Sequence, residues 1–497
     1  MRQKSNIKLE KLFSRALSNH QAGDLIEAEK IYKKIIKIDS KIDVVQNNLG
    51  MIYLMSNKKK LAQSCFLSAI KVNSNYIEAY NNLALLNNEI GEYNKSIIYS
   101  KKALEINRNS VIALFNLAYS YGKIGNKKNE IDFYLKTLEL DPKHFSSYNN
   151  LALAYYELGE TEKCVELYRK ANSINPDDHL VRENLACALL RHSYFEEGFE
   201  FFESRLEKAN KQNIIKSNKL TRMWSGEDLN KKSILIISEQ GAGDTIQFAR
   251  YAYELSDFYK TNVFFLVDKK IIHLFDQKKL KIIAKGDKIP KYDYYSFLQS
   301  LPKYYYQRKK NLLEQSNYIH KNQQIFNKWK TKLSELSLPK IGINWQGNEN
   351  YKYDRFRSIP LKKFEILFNI EGLDFISIQK GEGENQIKKI NFTNKLHNFS
   401  AIIDNGENSF EDTIEIIRNL DLVITTCTSI AHLSSTIGTK TWILLSYNSD
   451  WRWFTNTDSS PWYKNTLLFR QEKLNDWESV FEKVKQKIIL NFKLSNQ

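Results

Sequence analysis

The stretch from Ser233 to Leu255, SILIISEQGAGDTIQFARYAYEL, decides how the second half of this chain folds. A short β-branched apolar run stops at Ser238, two closely spaced glycines follow (Gly241 and Gly243), and the residues after Asp244 recur with helical spacing. Strand, tight turn and helix in that order are the first half of a βαβ unit, which implies a parallel sheet. Asp244 stands where the helix should begin. It reads either as an N-cap accepting backbone N–H bonds or as a general base on a cleft floor, where neighbouring glycines leave the backbone open to a substrate. A dinucleotide site fits poorly, although Asp268 closes the next strand candidate where a ribose-binding acid would lie. Ile246 occupies the third position of GxGxxG, and a carboxylate stands where a pyrophosphate would dock.

Working outward, apolar strands alternate with amphipathic helices over the whole second half. The strand candidates are 233–238, 262–268, 340–346, 375–379, 421–426 and 441–446, short and β-branched as buried parallel strands are. A break at Leu338-Pro339 divides them into two lobes, 233–338 and 339–497, the second ending in an amphipathic helix over 474–492. A polar connector, 213–232, precedes them. Residues 301–332 mix aromatic and basic side chains, which suits an anionic ligand, but read first as a solvated helical stretch with an apolar stripe.

The first two-fifths of the chain are periodic. Leu49-Gly50, Leu83-Ala84, Leu117-Ala118, Leu151-Ala152 and Leu185-Ala186 recur every 34 residues, as do Gly91, Gly125 and Gly159. A large-small pair lets two antiparallel helices approach, an aromatic (Phe66, Tyr134, Tyr168) fills the second helix, and Pro142 or Pro176 closes some units. In these features the chain resembles the tetratricopeptide repeat (TPR) family, with about six units over 9–212 after a tail, 1–8. Asn48, Asn82, Asn116, Asn150 and Asn184 hold one place in five successive units. A row of carboxamides can pair with the backbone of an extended peptide without reading its side chains, or can bond only to neighbouring repeats. The row is similar to the asparagine ladder of protein O-linked N-acetylglucosamine transferases, which implies a peptide-binding groove.

Composition narrows the classes. The chain has 497 residues, 42% hydrophobic with 7 prolines, so it can bury two or three cores. No apolar run reaches the roughly 20 residues of a membrane span, and the opening MRQKSNIKLEKLFSR lacks a signal-peptide centre. The expected location is cytoplasmic. Cys65, Cys164, Cys187 and Cys427 form no CxxC pair, so free thiols are expected. The net charge of +17 is spread along the chain instead of clustered, which disfavours a nucleic-acid partner.

Further strings follow EQGAGDTIQFARY in order: INWQGNENYKYDRFRSIPL (343–361), SIQKGEGE (377–384), DLVITTCTSIAHLSSTIGTKTWILLS (421–446) and DWRWFTNTDSSPWY (450–463). Together they resemble the glycosyltransferase domain found behind bacterial TPR arrays, itself similar to glycosyltransferase family 9, the heptosyltransferases. The resemblance covers about 220–490 and implies an α + α/β chain: an all-α TPR superhelix, then a GT-B domain of two Rossmann-like lobes, with acceptor on the first and nucleotide-sugar on the second. It implies that Asp244 is the base of an inverting transfer. Lys380, Thr428, Ser429 and His432 would hold the donor diphosphate, together with the free N–H groups of the helix after TTCTS. Gly241, Gly243, Gln247, Trp345, Asn348, Arg355, Arg357, Trp451 and Trp453 would line the donor or acceptor pocket; core packing is the alternative for each tryptophan, and a surface ion pair for each arginine.

No DxD string occurs in these lobes, so no metal-bridged diphosphate and no cofactor is expected. One departure stands out: Cys427-Thr428 occupies the place of the family's aspartate-threonine pair, which puts activity in question. A catalytic cysteine is a weak alternative, because no base is identifiable beside it. The expectation is a bacterial, cytoplasmic, metal-independent glycosyltransferase acting on a protein or peptide recruited by the repeats. The alternatives are transfer to a lipid-linked or surface glycan, and a non-catalytic scaffold. Helical repeats often pair, which admits a homo-oligomer, but no residue names a dimer face.

Overall fold

The computed structural model describes residues 2–207, 222–314, 317–336, 339–351, 354–390, 395–455 and 457–494. The chain divides into two compact units, Met1–Val181 and Arg182–Gln497.

The first unit is all helix. It begins with Arg2–Gln21, which takes in residues read from sequence as a tail, and Leu25–Ile38. Four more hairpins follow at the 34-residue period: Asp43–Met55 with Lys59–Val72, Ile77–Glu89 with Tyr93–Ile106, Val111–Lys123 with Lys127–Leu140, and Phe145–Glu157 with Thr161–Ile174. The small member of each large-small pair is needed for contact: a Cβ on Gly50 would fall 2.5 Å from the Phe66 ring. The turn glycines are needed for backbone sign, with φ of +79° at Gly91, +82° at Gly125 and +75° at Gly159, a region that β-carbon-bearing residues avoid. The equivalent turn in the preceding unit uses Asn57, at φ 57°. Where Ser100 replaces the buried aromatic, the neighbouring interior is polar: Ser120 Oγ lies 2.8 Å from both Asn88 Oδ1 and Ser96 Oγ.

The sixth pair of helices, His179–Arg191 and Phe195–Phe202, falls with the second unit from Arg182 onward. Two sheets follow. The first comprises β1 (Arg222–Met223), β2 (Ser233–Ile237), β3 (Asn262–Val267), β4 (Lys281–Ala284) and β5 (Tyr294–Phe297), parallel throughout in the order β1-β5-β2-β3-β4. Part of the expected connector, 213–221, lies outside the described residues; β1 belongs to the sheet.

The second sheet comprises β6 (Lys340–Asn344), β7 (Asp374–Ser377), β8 (Leu396–Asn398), β9 (Leu422–Thr426), β10 (Thr441–Leu445), β11 (Ser459–Ser460) and β12 (Tyr463–Arg470). Its order is β11-β12-β10-β9-β6-β7-β8, with only β11 antiparallel. Read from β6, the parallel strands run 3-2-1-4-5-6, the doubly wound order, in which ligands sit outside the carboxyl ends of the strands where the winding reverses. That point lies between β6 and β9.

Both faces of each sheet are buried, with period two along the strands. Ile234, Ile236, Val423, Ile443 and Leu445 share one core, while Leu422, Ile424, Trp442 and Leu444 enter another with the final helix, Trp477–Phe492. The expected helical stretch 301–332 is two helices, Leu301–Lys309 and Gln323–Leu333, because Lys310 ends the first at a left-handed φ of 55°.

Candidate functional site

The carboxyl ends of both sheets open onto a cleft of about 1130 Å³. From the first sheet, Asp268, Lys269 and Lys270 follow β3 and Lys285 follows β4; from the second, Asn344 ends β6, Gln379 and Lys380 follow β7, and Thr428 and Ser429 follow β9.

Strand-end amides build the second-sheet wall. Gln379 Oε1 accepts from Asn344 Nδ2 at 2.8 Å and from the Trp345 and Gln346 backbone N–H groups at 3.1 and 2.9 Å, which shapes the loop after β6. Asn344 Oδ1 accepts from Thr428 Oγ1 at 2.9 Å. Thr428 caps the helix Ser429–Thr436, accepting from the Ile430 N–H, so the start of that helix faces the cleft. Sequence reading missed Asn344 and Gln379; the available signal was a polar residue closing an otherwise apolar strand.

Lys380 reaches Ser400 O at 2.7 Å and Asn405 Oδ1 at 3.2 Å, both neutral, and among the described residues no acid pairs with it. Its charge therefore stays available at the cleft. Burial lowers the pKa of Lys285, against the pull of Asp268 and Glu239. Asn348 and Arg357 also line the cleft; Arg357 binds Asp354 Oδ1 (2.9 Å) and Cys427 O (3.2 Å) and covers the Tyr351 ring. The Arg355 side chain lies outside the described residues.

The GAGD turn packs against the Ser429 end of this wall, but Gly241, Gly243 and Asp244, expected in the pocket, are not among the residues that line the cleft, because the helix starts close over them. Gly241 is the N-cap of the helix Ala242–Tyr259, and a Cβ on Gly243 would lie 3.2 Å from Ser429 Oγ and 3.3 Å from His432 Cδ2. The second glycine thus allows two helix starts to touch. Asp244, in the first turn, is not a free carboxylate: its Oδ1 lies 2.6 Å from Arg452 of the second lobe. Burial and the charge of Asp450 lift its pKa, with Arg452 opposing.

Several expected pocket residues are core residues instead. Trp345, Trp451 and Trp453 are buried, Trp345 donating to Gly383 O and Trp453 to Cys427 Sγ at 3.1 Å. His432, expected at the diphosphate, stacks on Trp453 at 16° and contacts Tyr463 Oη at 3.1 Å; burial pushes its pKa down to about 3, so it is neutral. One helical turn inward from Ser429 is inside the fold. Gln247 is likewise buried, its side-chain amide without a partner among the described residues. Burial raises the Cys427 thiol to about 11, which removes thiolate chemistry.

In the first unit, the asparagines bond to the preceding repeat. Asn48 donates to Tyr32 Oη (3.3 Å), Asn82 to Asn47 Oδ1 (2.8 Å), Asn116 to Asn81 O (3.3 Å) and Asn150 to Tyr134 Oη (3.1 Å). Asn116 is buried, while Asn48, Asn82 and Asn150 remain partly exposed. Asn184 is exposed and lies in the second unit.

Comparison with known proteins places the repeats. Tetratricopeptide repeat family models match residues 45–76, 77–110, 111–144 and, for a second model, 133–166. The amino-terminal array is a TPR array. Protein FlbA of Caulobacter vibrioides is 23% identical over 313 residues, 58% of this chain and 51% of that protein, so the chain spans about half the length of the curated relative it matches. Among solved structures, YrrB, a TPR protein with an unusual peptide-binding site, is 22% identical over 34% of this chain and 88% of its own, with a TM-score of 0.30. MamA is 24% identical over 33% and 96%, with a TM-score of 0.30, and pilF of Pseudomonas aeruginosa 15% identical over 42% and 93%, with a TM-score of 0.38. No helix among the described residues is long and apolar enough to cross a membrane.

Proposed function

We propose that the second unit is an inverting, metal-independent glycosyltransferase and that the TPR array recruits its protein or peptide acceptor. One observation carries this reading. At the reversal point of a doubly wound sheet, the unneutralised Lys380 and the Thr428-capped helix start share a cleft with Lys269 and Lys270 of the facing sheet. Ammonium groups beside the positive end of a helix suit the negative charges of a departing nucleoside diphosphate. A cleft of 1130 Å³ has room for a nucleotide-sugar.

In the reaction, Asp244 accepts the proton of the acceptor hydroxyl, and the oxygen forms a bond to the anomeric carbon as the carbon–phosphate oxygen bond breaks. The configuration inverts, and the diphosphate leaves against Lys380. With no DxD string in these lobes, this reading gives charge neutralisation to these protein groups. In the array, the partly exposed amides of Asn48 and Asn82 still offer an acceptor to a peptide N–H, while Asn150 Oδ1 already accepts from Asn149 Nδ2 at 3.1 Å.

A silent scaffold is the competing reading. It is favoured by Cys427 at the place of the motif aspartate and by the ion pair that already engages Asp244. A nucleotide-sugar panel, read by thermal shift and by product formation, separates the two. Wild type should be stabilised by one donor and turn it over, whereas Asp244→Asn should bind that donor equally and not turn it over. Turnover by the variant would refute the base assignment, and silence across the panel would select the scaffold.

A further inference from the structure

Asp244 meets an arginine that is itself shared. Arg452 Nη2 lies 2.6 Å from Asp244 Oδ1, and Nη1 lies 2.9 and 3.2 Å from the two oxygens of Asp450. Asp450 also accepts from the Arg452 backbone N–H at 3.0 Å. The guanidinium lies 4.6 Å from the Trp451 ring centroid and 5.4 Å from that of Phe248, and the Arg452 carbonyl accepts from Trp462 Nε1 at 2.8 Å. The group is thus held at both Nη atoms, while its buried Nε has no partner among the described residues, and 9% of its side chain is exposed. One cation faces two carboxylates that do not behave alike. Burial pushes Asp450 up, but the charge and hydrogen bonds of Arg452 outweigh it and hold Asp450 below the usual range, whereas Asp244 lies above it. Two acids with separated basicity around one base-holding cation are the arrangement of a tuned proton acceptor.

We infer that Arg452 and Asp450 are positioning residues for Asp244: Arg452 grips Oδ1, Asp450 offsets the charge of Arg452, and Oδ2 is thereby assigned the acceptor proton. The inference rests on Asp244 being the base of the proposed transfer. Other charges around the site come from each packed element. Glu239, in the loop after β2, acts on Asp244 from the same lobe but is tied up by Arg205 at 2.8 Å. On the facing helix His432 is neutral, the Cys427 thiol ahead of that helix is protonated, and Arg357, in the short helix Asp354–Arg357, is paired with Asp354. Cys187 acts on Arg452. Beside a hydrogen bond from the Gly241 backbone, this leaves Arg452 and Asp450 as the two charges that act most on Asp244.

The test reads Asp244 without needing a substrate. A carboxyl whose folded pKa is raised adds stability at low pH and loses it as pH rises through that pKa. The unfolding midpoint of wild type minus that of Asp244→Asn, measured from pH 3.5 to pH 8, should therefore fall with rising pH. In an Arg452→Gln background the fall should move to higher pH, and in an Asp450→Asn background to lower pH. Opposite shifts support the inference; a fall at one pH in all three backgrounds, with only a general loss of stability, overturns it. Should Arg452→Gln not fold, the nearly isosteric Asp450→Asn decides alone, by the presence or absence of its downward shift. With an active donor in hand, Arg452→Lys should lower kcat at least tenfold with donor KM unchanged. A silent donor panel beside the two opposite shifts sinks the transferase reading while leaving the charge-setting role standing.

Discussion

Replacing Gly243 by alanine probes the contact that brings the GAGD turn to the donor wall. The added methyl meets three atoms at once: Ser429 Oγ at 3.2 Å, Ser429 Cα at 3.3 Å and His432 Cδ2 at 3.3 Å. None yields easily. One is backbone, and His432 is clamped between the Trp453 ring and the Tyr463 hydroxyl. The two helix starts must separate by a few tenths of an ångström, an overpacking that costs about 1–3 kcal/mol. Alanine in a helix returns up to about 1 kcal/mol relative to glycine. The net expectation is a loss of about 1–2 kcal/mol, or a few degrees in the melting of the second unit. Gly241 is the internal control. Its Cβ position is open apart from Asp244 Oδ2 at 3.8 Å, and its backbone is extended at φ −69°, ψ 174°, so Gly241→Ser should stay within about 0.5 kcal/mol of wild type. Denaturant unfolding of the two variants measures both. A Gly243→Ala protein as stable as wild type, or a Gly241→Ser protein less stable than Gly243→Ala, refutes the close-contact argument.

Three other outcomes follow from the structure. His432, neutral with a pKa near 3 against an ordinary value of 6.5, contributes stability above pH 6.5 that is lost as pH falls toward 3. His432→Phe should therefore narrow the acid loss of melting temperature, and an unchanged acid profile would refute its buried neutral state. With its thiol raised to about 11, half-buried Cys427 should react with iodoacetamide at pH 7.5 more slowly in the native protein than after unfolding, as mass spectrometry would read; equally rapid native labelling contradicts the raised pKa. In the array, Gly125→Ala forces a Cβ onto a backbone at φ +82° and should cost about 1 kcal/mol, while Asn57→Gly should gain a few tenths. Helical melting of the two variants checks the opposite signs.

The sequence by itself determined the repeats and the main strands, because both are local signals. A 34-residue period repeats one hairpin chemistry, and buried parallel strands show as continuous apolar runs wherever both faces are covered. Signals weaken at edges: β4 and β8 are short, and β12 mixes exposed with buried positions, so none stood out. The GAGD turn was legible as a strand-to-helix junction, but its chemistry was not. A tryptophan at a strand end reads the same whether it lines a pocket or fills a core, and Trp345, Trp451 and Trp453 fill cores because the packing around them leaves no open face. Nor does any local pattern join Asp244 to Arg452, 208 residues away, or Lys380 to the helix start at Thr428. Such contacts depend on distance through space: packing of the two sheets against each other brings Asp244 to Arg452, and the strand order of the second sheet brings Lys380 and Thr428 to one cleft.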